Sequence, residues 1–348
     1  MEFIGGLMLV IFAGLGTGTV AWPMKKIKDL HFEQYLFVFM FTAIIAYPWL
    51  VVLINVPDVL AVIHTVGLKS LLLSNVISIC WGVANVLYLV CVVRIGAALT
   101  GAVLSAAGMS VGVIMPMIFK GTGHFKSAPE LFSPAGWVII TGLIVIIAGI
   151  TLVSIAGIGR DKMLNQADTS NDSKQKRGGF VQGFILVIIA GVLSSGLSLS
   201  FVYSQGPVID AVKEQGVGDV TANFSVWAFC TLGGGLVNVI YAVYLMAKNN
   251  SWKLLFSRRD EIGYGSLIGL QFILSIVFLG IGMLLLGPLG ASVGFAIQQS
   301  MQVVGNQLVG FLGGEWKGIY GKARNTMYLA IIVILIAVVI LASSNAVN

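Results

Sequence analysis

Apolar residues run through this chain in long blocks, not in the short alternations or narrow stripes of a water-soluble domain. Ten blocks reach roughly the 20 residues an α-helix needs to cross the hydrocarbon core of a bilayer. They lie at about 3–22, 34–54, 71–93, 96–119, 134–157, 180–203, 222–247, 264–286, 289–313 and 325–343. The pattern predicts an all-α integral membrane protein with ten transmembrane helices. The opening stretch, "MEFIGGLMLVIFAGLGTGTVAW", has an acidic residue ahead of its apolar run and no convincing cleavage site. It reads as a retained span, not a signal peptide.

The polar stretch "GRDKMLNQADTSNDSKQKRGG", Gly159 to Gly179, has the composition of a flexible linker and divides the blocks five and five. The expected organisation is a first five-helix repeat over 1–157, a cytoplasmic polar linker over 158–179 and a second five-helix repeat over 180–348. The halves resemble each other. "GLMLVIFAG" (Gly6 to Gly14) matches "GFILVIIAG" (Gly183 to Gly191), and the fourth block of each half opens alike, "IGAALTG" from Ile95 and "LGASVG" from Leu289. Because five is odd, two such repeats cross the membrane in opposite senses, the inverted-repeat design of many secondary transporters.

Basic residues fix an expected orientation. The connections after blocks one, three, five, seven and nine hold Lys25, Lys26 and Lys28; Arg94; Arg160, Lys162, Lys174, Lys176 and Arg177; Lys248, Lys253, Arg258 and Arg259; and Lys317, Lys322 and Arg324. The other side has only Lys69, Lys120, Lys126 and Lys213. The positive-inside rule makes the first set cytoplasmic and puts both termini outside.

Composition agrees with a membrane setting: 57% of residues are hydrophobic and 10% charged. The net charge of +6 then reports topology, not a nucleic-acid partner. Cys80, Cys91 and Cys230 all lie inside apolar blocks, without metal-ligand spacing or a disulfide framework. No cofactor is expected. His31, His64 and His124 lie in loops or at block ends, and no nucleophile–base or metalloprotease motif accompanies them, so the sequence does not read as an enzyme.

Candidate chemistry comes from polar residues deep in the blocks. Trp81, Asn85 and Tyr88 fall within about 60° of one another on a helical wheel. Gln298, Gln299, Gln302 and Asn306 form a stripe along block nine, while Ser194, Ser195, Ser198 and Ser200 cluster in block six. An unpaired amide in hydrocarbon costs roughly 2–7 kcal/mol, so the amide stripe must face protein or a wet cavity. The serines suit a cavity or hydrogen bonding between helices equally well. No Asp or Glu occupies the central part of any block, and a cation site normally needs a buried carboxylate. The lining therefore suits a neutral, hydroxyl-rich ligand such as a sugar, with amides for its hydroxyls and aromatic faces for its C–H patches. The substrate-binding candidates are Trp81, Asn85, Tyr88, Ser194, Ser198, Gln298, Gln299, Gln302 and Asn306. Small residues in block four (Gly101, Ser105, Gly108, Gly112), in "GTGT" from Gly16 and in "GGG" from Gly233 read as helix-packing points.

These stretches carry a resemblance. "PMKKIKDLHFE" (Pro23 to Glu33), "WGVANVLYLVCVVRIG" (Trp81 to Gly96), "GVLSSGLSLSF" (Gly191 to Phe201), "GGGLVN" (Gly233 to Asn238) and "GEWKG" (Gly314 to Gly318) occur in one order across nearly the whole chain. They resemble the L-rhamnose–proton symporter family of the drug/metabolite transporter superfamily. The resemblance implies uptake of L-rhamnose or a related deoxyhexose with protons across a bacterial inner membrane. It places Trp81, Gly82, Asn85, Tyr88, Arg94 and Gly96 in the family's third-span pattern, and Ser194, Gly196 and Ser198 in its sixth. The chain departs from the family at the opening of block nine, where "GASVGFAIQQSMQ" replaces an acidic residue between aromatics. Coupling then falls to Glu33 or Glu315, with Lys25, Lys26 or Arg94 as counter-ions; the alternative role for these groups is a cytoplasmic ion pair that gates or staples the inner side. An exporter or uncoupled sugar facilitator of the same fold, and more distantly a non-transporting sugar sensor, are the other functions consistent with the pattern.

Overall fold

The computed structural model describes residues 2–95, 97–119, 129–167 and 180–346, and among them the secondary structure is helical throughout. Ten helical segments follow the apolar blocks. They are α1 (Glu2–Met24), α2 (Phe32–Asn55), α3 (Leu68–Ile95), α4 (Ala97–Ile118), α5 (Pro134–Ala167), α6 (Phe180–Ser194 continued by Gly196–Lys213), α7 (Asp219–Cys230 followed by Leu232–Lys248), α8 (Arg259–Leu285), α9 (Phe295–Leu312) and α10 (Lys322–Ser343). Eight of these are long and apolar enough to cross a membrane, and α7 meets that test only as a pair bent by 56°. Helix α9 falls short because Gln298, Gln299, Gln302, Asn306 and Gln307 lie within its 18 residues.

Apolar side chains turned outward form the belt expected of a bilayer-facing surface: Ile4, Met8 and Phe12, one turn apart on α1, are 66%, 48% and 55% exposed. The fifth helix continues through Ala167 into the stretch expected to begin a linker at 158. "RDKMLNQA" contains no Gly or Pro to stop it and consists mostly of good helix formers. The remainder of the expected linker, 168–179 with Lys174, Lys176 and Arg177, lies outside the described residues, as do Gly96, Lys120, His124 and Lys126.

Besides α1, which breaks at Thr19 and Val20, three helices are interrupted for local reasons. Phe41–Ala46 of α2 is wound as a π-helix just ahead of Pro48, whose missing N–H denies the carbonyl one turn back its usual donor. Helix α6 breaks at Ser195, where Gly196 presses onto α3; a Cβ there would sit 3.0 Å from the Trp81 backbone nitrogen. Helix α7 bends at Thr231, and α3 satisfies the backbone groups this frees. Asn75 Nδ2 donates to the Phe229 carbonyl (2.7 Å), Asn75 Oδ1 accepts from the Gly233 N–H (2.7 Å), and Ser78 Oγ accepts from the Gly234 N–H (3.0 Å). A broken helix is tolerated in an apolar setting when a neighbour satisfies its backbone in this way.

The packing is reciprocal between the halves. Helix α1 packs on α8 and α9, the third and fourth helices of the second half, while α6 packs on α3 and α4, the third and fourth of the first. The aligned glycines make corresponding contacts. A Cβ at Gly6 would lie 2.9 Å from Leu285 Cβ on α8, and one at Gly183 would lie 2.8 Å from Ile95 Cγ2 on α3. One turn pair further, Gly14 would meet Met301 Cβ on α9 at 2.5 Å and Gly191 would meet Ala107 Cβ on α4 at 2.6 Å. These separations are shorter than side chains allow, so each glycine is what lets its two backbones approach. Helices α5 and α10 pack on each other at the periphery, leaving the other eight around the centre.

Candidate functional site

A cavity of about 330 Å³ lies among α1, α2, α3, α4, α6, α7, α8 and α9, within the size range of small-ligand sites. Its polar lining comprises Thr17, Asn85, Ser105, Ser194, Ser198, Gln298, Gln299, Gln302 and Asn306, with the indoles of Trp81 and Trp227. Phe39, Met40, Phe272 and Phe295 are among the apolar residues that complete it. No charged side chain occurs in this described lining.

Each polar group is held by the backbone geometry beneath it. Trp81 is 7% exposed and lies over Gly234, where a Cβ would come within 2.8 Å of its Cε3. One turn on, Asn85 Nδ2 is buried without a hydrogen-bond partner among the described residues, so a wall of the cavity contains a donor they do not use. Gln298 Nε2 donates to Thr17 Oγ1 (2.9 Å) and Gln302 Oε1 (3.3 Å), linking α9 to α1. Thr17 Oγ1 in turn donates back to its own helix, at 3.0 Å from the carbonyls of Ala13 and Gly14. Ser194 and Ser198 also donate within α6, to the carbonyls of Gly191 (2.6 Å) and Ser195 (3.1 Å). Their hydrogens are thereby committed and their oxygens remain as acceptors.

A second cavity of about 340 Å³ adjoins the first, and Ser105, Val303 and Asn306 line both. Tyr88, Gln307, Arg160, Glu315 and Trp316 line it as well. Glu315 bridges two cations, with Oε1 3.3 Å from Lys25 Nζ and Oε2 3.1 Å from Arg160 Nη1. The Arg160 guanidinium also lies over the Trp316 ring at 5.5 Å. The connections after α1 and α9 meet the C-terminal part of α5 at this cluster.

Eight of the nine binding candidates thus converge on one cavity, while Tyr88 lines the adjoining one. The charged candidates separate. Glu315 and Lys25 are paired, but Glu33 is 5% exposed and accepts from Ser251 Oγ (2.8 Å) and Asn249 Nδ2 (3.1 Å), with His31 Nδ1 at 3.9 Å. Lys26 is exposed, and Arg94 donates to Gln182 Oε1 at 3.4 Å. Neither Lys26 nor Arg94 therefore serves as the counter-ion of a glutamate among the described contacts. Sequence reasoning missed Thr17, Trp227, Phe39, Met40, Phe272 and Phe295. Trp227 lies near the start of its apolar block, six residues in, where a tryptophan reads as an interface anchor, whereas Thr17 sat unremarked within "GTGT".

The sequence that builds this site matches a known protein family. The profile of the L-rhamnose-proton symport protein family matches residues 3–347. The chain belongs to that family. Proteins named L-rhamnose-proton symporter from Yersinia pestis and from Yersinia pseudotuberculosis are 23% identical to it over 323 residues, covering 90% of this chain and 90% of each relative. The family is one of membrane transporters and not of enzymes, in agreement with the sequence reading.

Proposed function

We propose that the chain imports L-rhamnose or a related deoxyhexose with protons across a bacterial inner membrane, by alternating access. The observation that carries this reading is the uncharged cavity with amides, hydroxyls and two indoles drawn from both halves. A sugar hydroxyl needs both a donor and an acceptor. The free Asn85 Nδ2 offers the first, and the committed serines offer the second. Trp81 and Trp227 supply apolar faces for the ring.

We read the ten segments as ten spans in two inverted five-helix repeats, with both termini outside. The reciprocal packing of α1 and α6 supports the repeat. The grouping of contacts supports the sidedness: Lys25 and Glu315, in the connections after α1 and α9, meet Arg160 at the end of α5 assigned to the cytoplasm, and Arg258, in the connection after α7, joins Asp29 in the connection after α1 at 2.5 Å. On the opposite side, Asp58 and Gln215 exchange two hydrogen bonds, Asp58 N–H to Gln215 Oε1 (2.9 Å) and Gln215 Nε2 to the Asp58 carbonyl (2.8 Å). In this arrangement the outer connections are latched, and the cavity continues by way of Asn306 toward Glu315 and the cytoplasm. Glu315 is the coupling candidate best joined to that path. Glu33 is the second, in a polar pocket of its own with Ser251, Asn249 and His31.

The test is accumulation of labelled L-rhamnose in proteoliposomes with and without an imposed pH gradient. Uptake driven by the gradient supports symport, and absence of uptake refutes the assignment. The lack of any ionisable side chain in the described central lining favours a second reading, an uncoupled facilitator, which uptake indifferent to the gradient would select.

A further inference from the structure

Beyond the central cavity, toward the ends of α6 and α7 that bear the Lys213–Asp219 ion pair, the packing encloses polar atoms with no partner. Asn223 is fully buried, and neither Oδ1 nor Nδ2 makes a hydrogen bond among the described residues. Ser204 Oγ, in a residue 1% exposed, and Gln205 Oε1 are buried and unpartnered as well. They share one level: Asn223 lies four residues before Trp227 on α7, and Ser204 and Gln205 lie three and four after Phe201 on α6. Phe201 and Trp227 stack with centroids 4.3 Å apart and planes 21° apart. Since Trp227 lines the central cavity, that stack forms a floor between the cavity and the unpaired polar groups.

Interhelical bonding does not explain these groups. Polar side chains that join helices do so through hydrogen bonds across the contact, and Asn223 has none although α8 is pressed against it. A Cβ on Gly280 would lie 2.5 Å from Asn223 Oδ1, 2.6 Å from its Nδ2 and 2.8 Å from the Phe201 ring. Buried polar groups left unpaired destabilise a fold, and each needs an explanation. One arises if α8 withdraws from α6 and α7 in another state of the carrier, so that the amide, hydroxyl and carbonyl line the way in.

We propose that Asn223, Ser204 and Gln205 form an outer sugar-binding position, separated from the central cavity by the Phe201–Trp227 stack and occupied when the outer side opens. This rests on the uptake reading above and on its sidedness. It assigns to these residues recognition of hydroxyls at the outer face only, because in the inward-directed arrangement α8 covers them.

The experiment compares Asn223→Leu with wild type in right-side-out and inside-out vesicles, using L-rhamnose as the probe. Loss of one neutral hydrogen bond raises the KM for uptake from the outer face roughly threefold to tenfold. The KM from the cytoplasmic face stays at the wild-type value, and the melting temperature does not fall, since no internal bond is lost. Ser204→Ala removes a single oxygen with little change in packing and shifts the outer KM in the same direction. An equal rise at both faces, or a lower melting temperature, would make Asn223 a conformational or structural residue and overturn the proposal. Wild-type uptake with an unchanged outer KM in both variants overturns it alone; a wild type that moves no rhamnose from either face overturns the transport reading as well.

Discussion

Replacing Asn85 by leucine separates recognition from structure because the two predict opposite signs. The Asn85 Nδ2 group is buried and bonds to nothing among the described residues, so leucine breaks no hydrogen bond described there and removes an unsatisfied donor. The folded state should hold its stability or gain up to about 1–3 kcal/mol, the usual penalty of such a group. Transport should move the other way. A sugar hydroxyl that met the amide is left facing a methyl group, at a similar cost of about 1–3 kcal/mol. At 1.4 kcal/mol per tenfold this lowers the transport kcat/KM about 5- to 150-fold. Trp81, one turn away, remains to pack against the ring, so uptake is reduced and not erased. Initial rates in proteoliposomes at sub-saturating L-rhamnose give the first quantity, and thermal unfolding of the same preparation without sugar gives the second. Unchanged kcat/KM would refute hydrogen bonding by Asn85, and a loss of both stability and transport would show that the amide is structural.

Alanine at Gln298 or Gln302 should raise the KM for rhamnose, with the greater effect at Gln298, since losing it also frees Thr17; wild-type kinetics in both variants would reduce the amide stripe to interhelical bonding. Glu315→Gln should end accumulation driven by a pH gradient while leaving sugar exchange intact, because exchange moves no net proton, and retained gradient-driven accumulation would remove Glu315 from coupling. Asn75→Ala should destabilise the protein by about 2–6 kcal/mol, from two orphaned backbone groups at about 1–3 kcal/mol each, at Phe229 and Gly233. A melting temperature within a degree of wild type would mean that the bend in α7 does not depend on α3.

The helices were legible because bilayer-spanning apolar length is a coarse signal that no other element imitates. The cavity was legible for the same reason in negative: amides such as Gln298 and Gln302 are too costly to face lipid, so their position within an apolar block announced an interior. Tyr88 shows where that reasoning stops. It shares a helical face with Asn85, yet another turn of rise carries it past the cavity into the adjoining one. The pairing of Glu315 with Arg160, and the isolation of Glu33, depend on which connections meet in three dimensions, which apolar periodicity does not encode. Asn75 escaped notice because its work is done for the backbone of another helix, 154 residues away at Phe229.

The exchange of first helices between the halves bears on how the chain is made. Thr17 and Gln298, which join α1 to α9, are separated by 281 residues. At roughly 5–20 residues per second, synthesis of that interval takes about 15–55 s. Throughout it, α1 sits in the bilayer with its glycine-lined face uncovered by the helices that will finally cover it. Each half is incomplete by one helix until the other arrives, so this protein cannot mature half by half as it leaves the ribosome. The docking of α1 waits for α8 and α9, whereas α6 can pack on α3 and α4 as it emerges, and a chain truncated before α8 leaves α1 inserted without the helices that cover it.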